Sequence, residues 1–257
     1  MVIDTHCHLN DERFKDSYEQ IIQDMPKDNL AKLIVASYDF PSTKKALEIA
    51  SRFENVYCLL GMHPHDSKLY SQEMEDYIVQ NSTNEKVLGI GEIGLDYFYD
   101  LSDRETQKGI FSRQIVLADR LGLPIVIHTR DAWEDTLKIL NDNKQYINNG
   151  LLLHCWTGSV EITKELIKLG AYFAFGGTIT FKNANKIFDV IKTVPNDRIL
   201  VETDSPYLTP VPFRGQTNTP KMVNLVVEKL AEVLQMDRNV LEELLNKNTK
   251  NLFKKLR

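Results

Sequence analysis

Cysteine is scarce in this 257-residue chain: there are three, an odd number with no C-x-x-C pair, so no disulfide framework is expected and a reducing compartment is. No basic and then apolar leader follows Met1-Val2-Ile3-Asp4, and no apolar run approaches a membrane span, so a cytoplasmic protein without a membrane partner is expected. No Pro/Gly/Ser-rich linker and no internal repeat divides the chain, which reads as one domain over 1–257. Positive charge is not in excess either. Lys plus Arg number 31 against 36 for Asp plus Glu, a formal charge of −5, which argues against a surface that coats nucleic acid wholesale; a polyanion would have to be attracted locally. Nothing marks an obligate protein partner. What is present is ordinary for a globular protein, with 42% hydrophobic and 26% charged residues, and that excludes disordered, collagen-like and coiled-coil chains.

Short runs rich in Val, Ile and Leu alternate with longer stretches at helical period. The candidate strands are Val2 to Asp4, Ala31 to Ser37, Val56 to Gly61, Val87 to Glu92, Pro124 to His128, Leu151 to His154, Ala171 to Phe175 and Ile199 to Thr203. Apolar residues on consecutive positions suit strands buried on both faces, as in a parallel sheet covered by helices. Ser102 with Glu105, and Asp131 with Glu134, read as capping boxes, and Gly122 and Gly170 as residues that end helices. The segment Leu225 to Leu252 reads as two or three closing helices, and Lys247, Lys250, Lys254, Lys255 and Arg257 as a solvated basic face. Eight strands with their helices in about 250 residues predict an α/β fold, a (β/α)8 TIM-type barrel. An open doubly wound sheet is the alternative, and the absence of GxGxxG after the first strand weighs against it.

All six histidines fall at or just past the C-terminal ends of candidate strands: His6 and His8, His63 and His65, His128, and His154. In an extended backbone, His6 and His8 project to one side and Cys7 to the other, so two imidazoles converge while Cys7, like Cys155, reads as a small buried hydrophobe and Cys58 as plain core. Carboxylates repeat the pattern, with Glu92 closing Val87-Leu88-Gly89-Ile90-Gly91 and Asp204 following Ile199 to Thr203. A carboxylate ending an apolar strand is costly to bury unless it is paired or bound to a metal. His6, His8, Glu92, His128, His154 and Asp204 make six nitrogen and oxygen ligands, enough for two divalent ions at the mouth of the barrel if Glu92 bridges them.

The segments Asp4-Thr5-His6-Cys7-His8-Leu9, Gly61-Met62-His63-Pro64-His65, Gly89 to Asp96, Pro124 to Arg130, Leu153-His154-Cys155-Trp156-Thr157-Gly158 and Leu200 to Pro210, running on to Arg214-Gly215 and Asn218, occur in an order that resembles the TatD-related metal-dependent deoxyribonucleases, a branch of the amidohydrolase-like barrels. The resemblance covers nearly the whole chain. It implies a TIM-type barrel with one metal on His6, His8, Glu92 and Asp204 and a second on Glu92, His128 and His154. One departure is Trp156-Thr157, where relatives commonly carry Phe-Ser; it bears on substrate fit rather than on metal binding.

The expected reaction is hydrolysis of DNA phosphodiester bonds, in the 3'-5' exonuclease sense on single-stranded or frayed ends. Two divalent ions (Mg, Mn or Zn) would activate water and neutralise phosphoryl charge. Asp204 is the expected base, with Glu92 its catalytic companion. His63, His65, Arg130 and Arg214 are candidate phosphate or leaving-group partners. His63 and His65 could instead take a third ion or line the cleft, and Arg130 could pair with Asp131. Glu202 shares a face with Asp204 and is expected to support the metals or the substrate. Tyr97, Phe98, Tyr99, Trp156 and Tyr207 fall in loops where bases could stack. Two other readings stay open: a metal-dependent amide or ester hydrolase, such as an aminoacyl-tRNA deacylase, and a metal-binding scaffold without catalysis.

Overall fold

The computed structural model describes residues 1–256, and within them eight parallel strands follow one another in sheet order: β1 (Val2–Cys7), β2 (Leu30–Ala36), β3 (Val56–Leu60), β4 (Val87–Asp96), β5 (Ile125–Arg130), β6 (Leu151–Leu153), β7 (Tyr172–Phe175) and β8 (Ile199–Val201). Helices α1 (Tyr18–Asp24), α2 (Phe40–Arg52), α3 (Gln72–Asn81), α4 (Arg104–Leu121), α5 (Trp133–Asp142), α6 (Val160–Lys168), α7 (Asn185–Thr193), α8 (Val223–Leu234) and α9 (Arg238–Leu252) lie outside. The chain leaving β8 meets β1 through Asp204 N to His6 O at 2.9 Å and His8 N to Ser205 O at 2.7 Å, which closes a TIM-type barrel. Among the described residues no helix is long and apolar enough to cross a membrane.

Apolar runs became strands because both faces are covered. Leu33, Val35, Cys58 and Leu60 point outward into the layer shared with the helices, while Ile34, Leu59, Leu88, Val126, Leu152 and Leu200 fill the barrel interior. The floor of that interior is plugged by Leu252, Phe253 and Leu256, which belong to the interior cluster. Fully burying one such side chain contributes about 1.5–3 kcal/mol.

Local signals held unevenly. Gly122 and Gly170 take φ of +67° and +77° at the ends of α4 and α6, where a side chain would be strained. The two capping boxes are corrected. Asp103, not Ser102, caps α4 by accepting from Thr106 N, and Ser102 donates to His65 O at 2.7 Å. Ala132 occupies the cap position of α5, and Asp131 is turned away in the left-handed region. Lys247, Lys250 and Lys254 are solvated, whereas Lys255 donates to Ser82 O at 2.6 Å; Arg257 lies outside the described residues.

Candidate metal centre at the strand ends

Two strands break their ladder where donors are needed. Along β1 the pairing with β2 runs Asp4 to Leu33 and then Cys7 to Val35, three residues against two, and along β4 the pairing with β5 runs Ile90 to Ile125 and then Ile93 to Ile127. The extra residue sits beside His6 in one strand and beside Glu92 in the other, and a bulge of this kind re-aims a side chain. Just beyond, Gly94 has φ +141°, and a Cβ there would collide with the His128 carbonyl, so only glycine lets β4 pass β5 at that histidine. Asp204 turns toward the mouth from a left-handed φ of +55°, which aspartate tolerates better than most residues.

The outcome is a convergence about Glu92. Its Oε2 lies 3.3 Å from His6 Nε2 and 3.6 Å from His8 Nε2, and Asp204 Oδ1 faces the same two nitrogens at 3.9 and 3.3 Å. Its Oε1 lies 2.8 Å from both His128 Nδ1 and His154 Nε2 and 3.5 Å from His63 Nε2. Thus the two oxygens of one buried carboxylate address two different groups of imidazoles. The His8 ring is oriented from behind by Ala36 O, 3.1 Å from Nδ1.

The electrostatics suit a cation. Burial works against ionisation of Glu92, but His154, His63 and His128 overcome it and hold its carboxyl well below the usual range. Burial likewise opposes ionisation of Asp204, and His8 with His154 reverses it. Burial and the neighbouring His154 push His6 down, whereas Glu92 and Glu202 outweigh burial at His154 and push it well up. Both ring nitrogens of His6 are buried without a hydrogen-bond partner, although one looks onto two carboxylate oxygens. An orphaned imidazole nitrogen beside carboxylates is the environment of a metal ligand, and these residues fit divalent ions. Candidate donor groups are His6, His8 and Glu92; His63, Glu92 and His128; and His6, His154 and Glu202.

The structure places the remaining candidates differently from one another. His63 is buried against Glu92, and His65, half-buried, has Nε2 3.0 Å from Asp96 Oδ2. Glu202 is fully buried, with Oε1 accepting from Cys155 N at 2.6 Å and facing His154 Nδ1 at 3.2 Å. Arg130 is exposed and lies over the Phe98 ring at 3.8 Å, and among the described residues no carboxylate comes within ion-pair reach of it, so the pairing with Asp131 does not form. Arg214 is exposed too, stacked on Phe181 and donating to Thr209 O at 3.0 Å, with its guanidinium outside the donor groups around Glu92. Of the aromatics, Phe98, Tyr99 and Tyr207 are exposed. Trp156 is instead core, donating to Thr163 and packed on Trp133 and Phe173, and Tyr97 is held by Asp135. Cys7 and Cys58 are buried as expected, but Cys155 is partly exposed at φ +44°.

Two carboxylates escaped the sequence reading. Asp96 ends β4, four residues past the expected strand end, and its Oδ2 lies 3.0 Å from His128 Nε2. Asp4 lies within β1 and binds Thr203 through N at 2.9 Å and Oγ1 at 2.6 Å; burial pushes its carboxyl up to about 8. The signal for both was the one used for Glu92, a carboxylate within or ending an apolar strand.

Fold and donor set together define a TIM-type barrel with a metal-capable mouth. The sequence matches the family of TatD-related DNases over residues 3–254, and the chain belongs to this family of metal-dependent hydrolases. It is 41% identical over 254 residues to an uncharacterized metal-dependent hydrolase, YabD, of Bacillus subtilis, covering 99% of each chain. It is 35% identical to the uncharacterized metal-dependent hydrolase YcfH of Escherichia coli K12, covering 98% of this chain and 95% of that protein. Among solved structures, the TatD homologue YjjV of Escherichia coli superposes with a TM-score of 0.92 at 30% identity, covering 98% of both chains.

Proposed function

We propose that this protein is a deoxyribonuclease that hydrolyses phosphodiester bonds at single-stranded or frayed DNA ends, in the manner of a 3'-5' exonuclease. Glu92 carries the reading: its two oxygens face two separate imidazole groups, an arrangement suited to a pair of divalent ions. One ion would be held by His6, His8, Glu92 and Asp204 and the other by Glu92, His128 and His154, with Mg, Mn or Zn as the candidates. Bound ions supply a water acidified to near neutrality and positive charge for the phosphoryl oxygens.

The chain's own residues do the rest. Asp204 is held ionised beside His8, so it can accept a proton from a water in the mouth. Arg130 has a guanidinium free of carboxylates and braced on Phe98, a geometry suited to a phosphate fork. Phe98, Tyr99 and Tyr207 offer exposed rings on which terminal bases stack. His63 and His65 line the cleft beside Glu92 and Asp96, and Arg214 reaches a more distal phosphate. With net charge −5, capture depends on the mouth rather than on the outer surface. Three unpaired cysteines suit action in the cytoplasm.

The test is incubation of purified protein with end-labelled single-stranded DNA and Mg2+, Mn2+ or Zn2+, with Glu92→Ala and Asp204→Ala as controls. Stepwise release of nucleotides by wild type alone is expected. Release of amino acid from aminoacyl-tRNA without nucleotide release would move the reading to carbonyl chemistry, and no release with any ion would end it.

A further inference from the structure

His128 and His154 approach the same oxygen, Glu92 Oε1, through different ring atoms. His128 uses Nδ1 and His154 uses Nε2, each at 2.8 Å, and these two nitrogens are 3.3 Å apart. Two ring nitrogens and one carboxylate oxygen therefore meet at one point, and what lies between them depends on which ring nitrogens hold the protons. The other face of each ring answers this. His128 Nε2 lies 3.0 Å from Asp96 Oδ2, and His154 Nδ1 lies 3.2 Å from Glu202 Oε1.

Both carboxylates are fixed as acceptors. Asp96 Oδ1 already accepts from Phe98 N at 3.1 Å and Tyr99 N at 2.8 Å, which sets the plane of the carboxylate and turns Oδ2 toward His128. Glu202 Oε1 accepts from Cys155 N at 2.6 Å, so that oxygen can only receive, and the facing His154 nitrogen must donate. His65 Nε2 also lies 3.0 Å from Asp96 Oδ2 but is out of line for a hydrogen bond, which leaves His128 as the aligned donor.

We propose that Asp96 and Glu202 are positioning residues that impose opposite tautomers on His128 and His154, so that each ring, once neutral, turns its lone-pair nitrogen toward Glu92 Oε1, where a cation binds. Hydrogen bonds from the remote nitrogen of a ligating imidazole set its tautomer and raise its basicity. The backbone cannot do this: His128 lies within β5 and His154 just past β6, and each ring would accept either proton without its carboxylate. The other histidine group has no carboxylate in that place. His8 Nδ1 faces the neutral Ala36 carbonyl, and among the described residues neither His6 nitrogen has a hydrogen-bond partner. This inference rests on the metal-binding part of the proposed function and not on DNA as substrate.

The experiment uses the full-length protein labelled with 15N-histidine, followed by long-range 1H–15N correlation at mildly alkaline pH during Zn2+ titration, with binding measured in parallel by calorimetry. His128 is expected to carry its proton on Nε2 and His154 on Nδ1, with Zn2+ shifting the opposite nitrogens. Asp96→Ala should release the preference of His128 alone and Glu202→Ala that of His154 alone, each weakening Zn2+ binding by about 10–100-fold. Glu202→Gln, whose carbonyl can still accept from Cys155 N and His154, should keep the tautomer and lose less affinity. A merely structural role would lower melting temperature without moving ring tautomers. Wild-type rings sharing one tautomer, alanine variants with wild-type tautomers and affinity, or a wild type that binds no Zn2+ would overturn the proposal. Should the alanine variants not fold, the wild-type spectrum still decides it. Intact tautomers and Zn2+ binding in a protein that leaves DNA uncut would remove only the nuclease reading.

Discussion

The two ends of the barrel bury polar groups in opposite ways. At the floor, charge meets its complement: Glu242 accepts from the Met1 amine at 3.0 Å, from Arg238 at 3.0 Å and from Asn29 at 3.0 Å, and Lys86 donates to the carbonyls of Phe53, Glu54 and Val56. At the mouth, buried carboxylates are shared among several imidazoles: Glu92 and Asp204 both face His6 and His8, and among the described residues His6 has no hydrogen-bond partner at either nitrogen. The floor is finished by the chain itself, whereas the mouth is completed by something the chain binds. Stability and chemistry are thereby separated along one axis, as in barrels whose active sites sit at the C-terminal ends of the strands.

The largest test of that separation is Glu92→Ala, expected to lower DNA hydrolysis by about 10^4-fold, the scale for removing a central catalytic group. Circular dichroism should show the barrel intact; an unfolded variant would mean that the mouth also carries the fold. The reciprocal change, Phe253→Ala, opens a cavity in the plug and should cost about 3–5 kcal/mol in urea unfolding. Specific activity per folded molecule should stay at the wild-type level, and a fall in it would break the separation from the other side. Next in size, Mn2+ or Zn2+ at 100 times its dissociation constant should stabilise the wild type by about 2.7 kcal/mol. Thermal melts should show this shift reversed by chelator, unchanged in Phe253→Ala and much reduced in Glu92→Gln.

The smallest effect concerns pH at the floor. Burial disfavours the Glu242 carboxylate, but the Met1 amine, Arg238 and Asn29 hold its carboxyl below the ordinary 4.5. A carboxyl lowered in the folded state adds stability that is complete above pH 4.5 and disappears as pH falls through the folded value. Glu242→Gln should therefore lose about 1 kcal/mol at neutral pH, as befits a solvent-screened pair, and the difference from wild type should shrink on acidification. A constant difference from pH 7 to pH 3 would show that packing, not charge, is responsible.

The strand count was legible because helices cover every strand from outside and the interior fills from within, which writes each strand as a short apolar run. The extent of β4 was not. Gly89, Gly91 and Gly94 thin its hydrophobic signal, so the strand read as ending at Glu92 although it continues buried to Asp96. The histidines, Glu92 and Asp204 stood out because each ends or follows an apolar run. Asp96 escaped, and the imidazole that Glu202 serves could not be named, because both depend on which ring the fold brings opposite them, 32 and 48 residues away. The caps of α4 and α5 failed for a local reason: Ser102 is diverted to His65 O, and Asp131 adopts a left-handed conformation that does not start a helix.

The extra residues in β1 and β4 set a limit on how this sequence can vary. Deleting one position between Ile90 and Ile93 would restore an unbroken ladder with β5 and improve the sheet as a sheet, yet it would rotate the Glu92 carboxylate away from both imidazole groups. Regularity and reactivity exclude each other at that point, and a designer idealising this barrel would erase its chemistry by correcting what looks like a flaw.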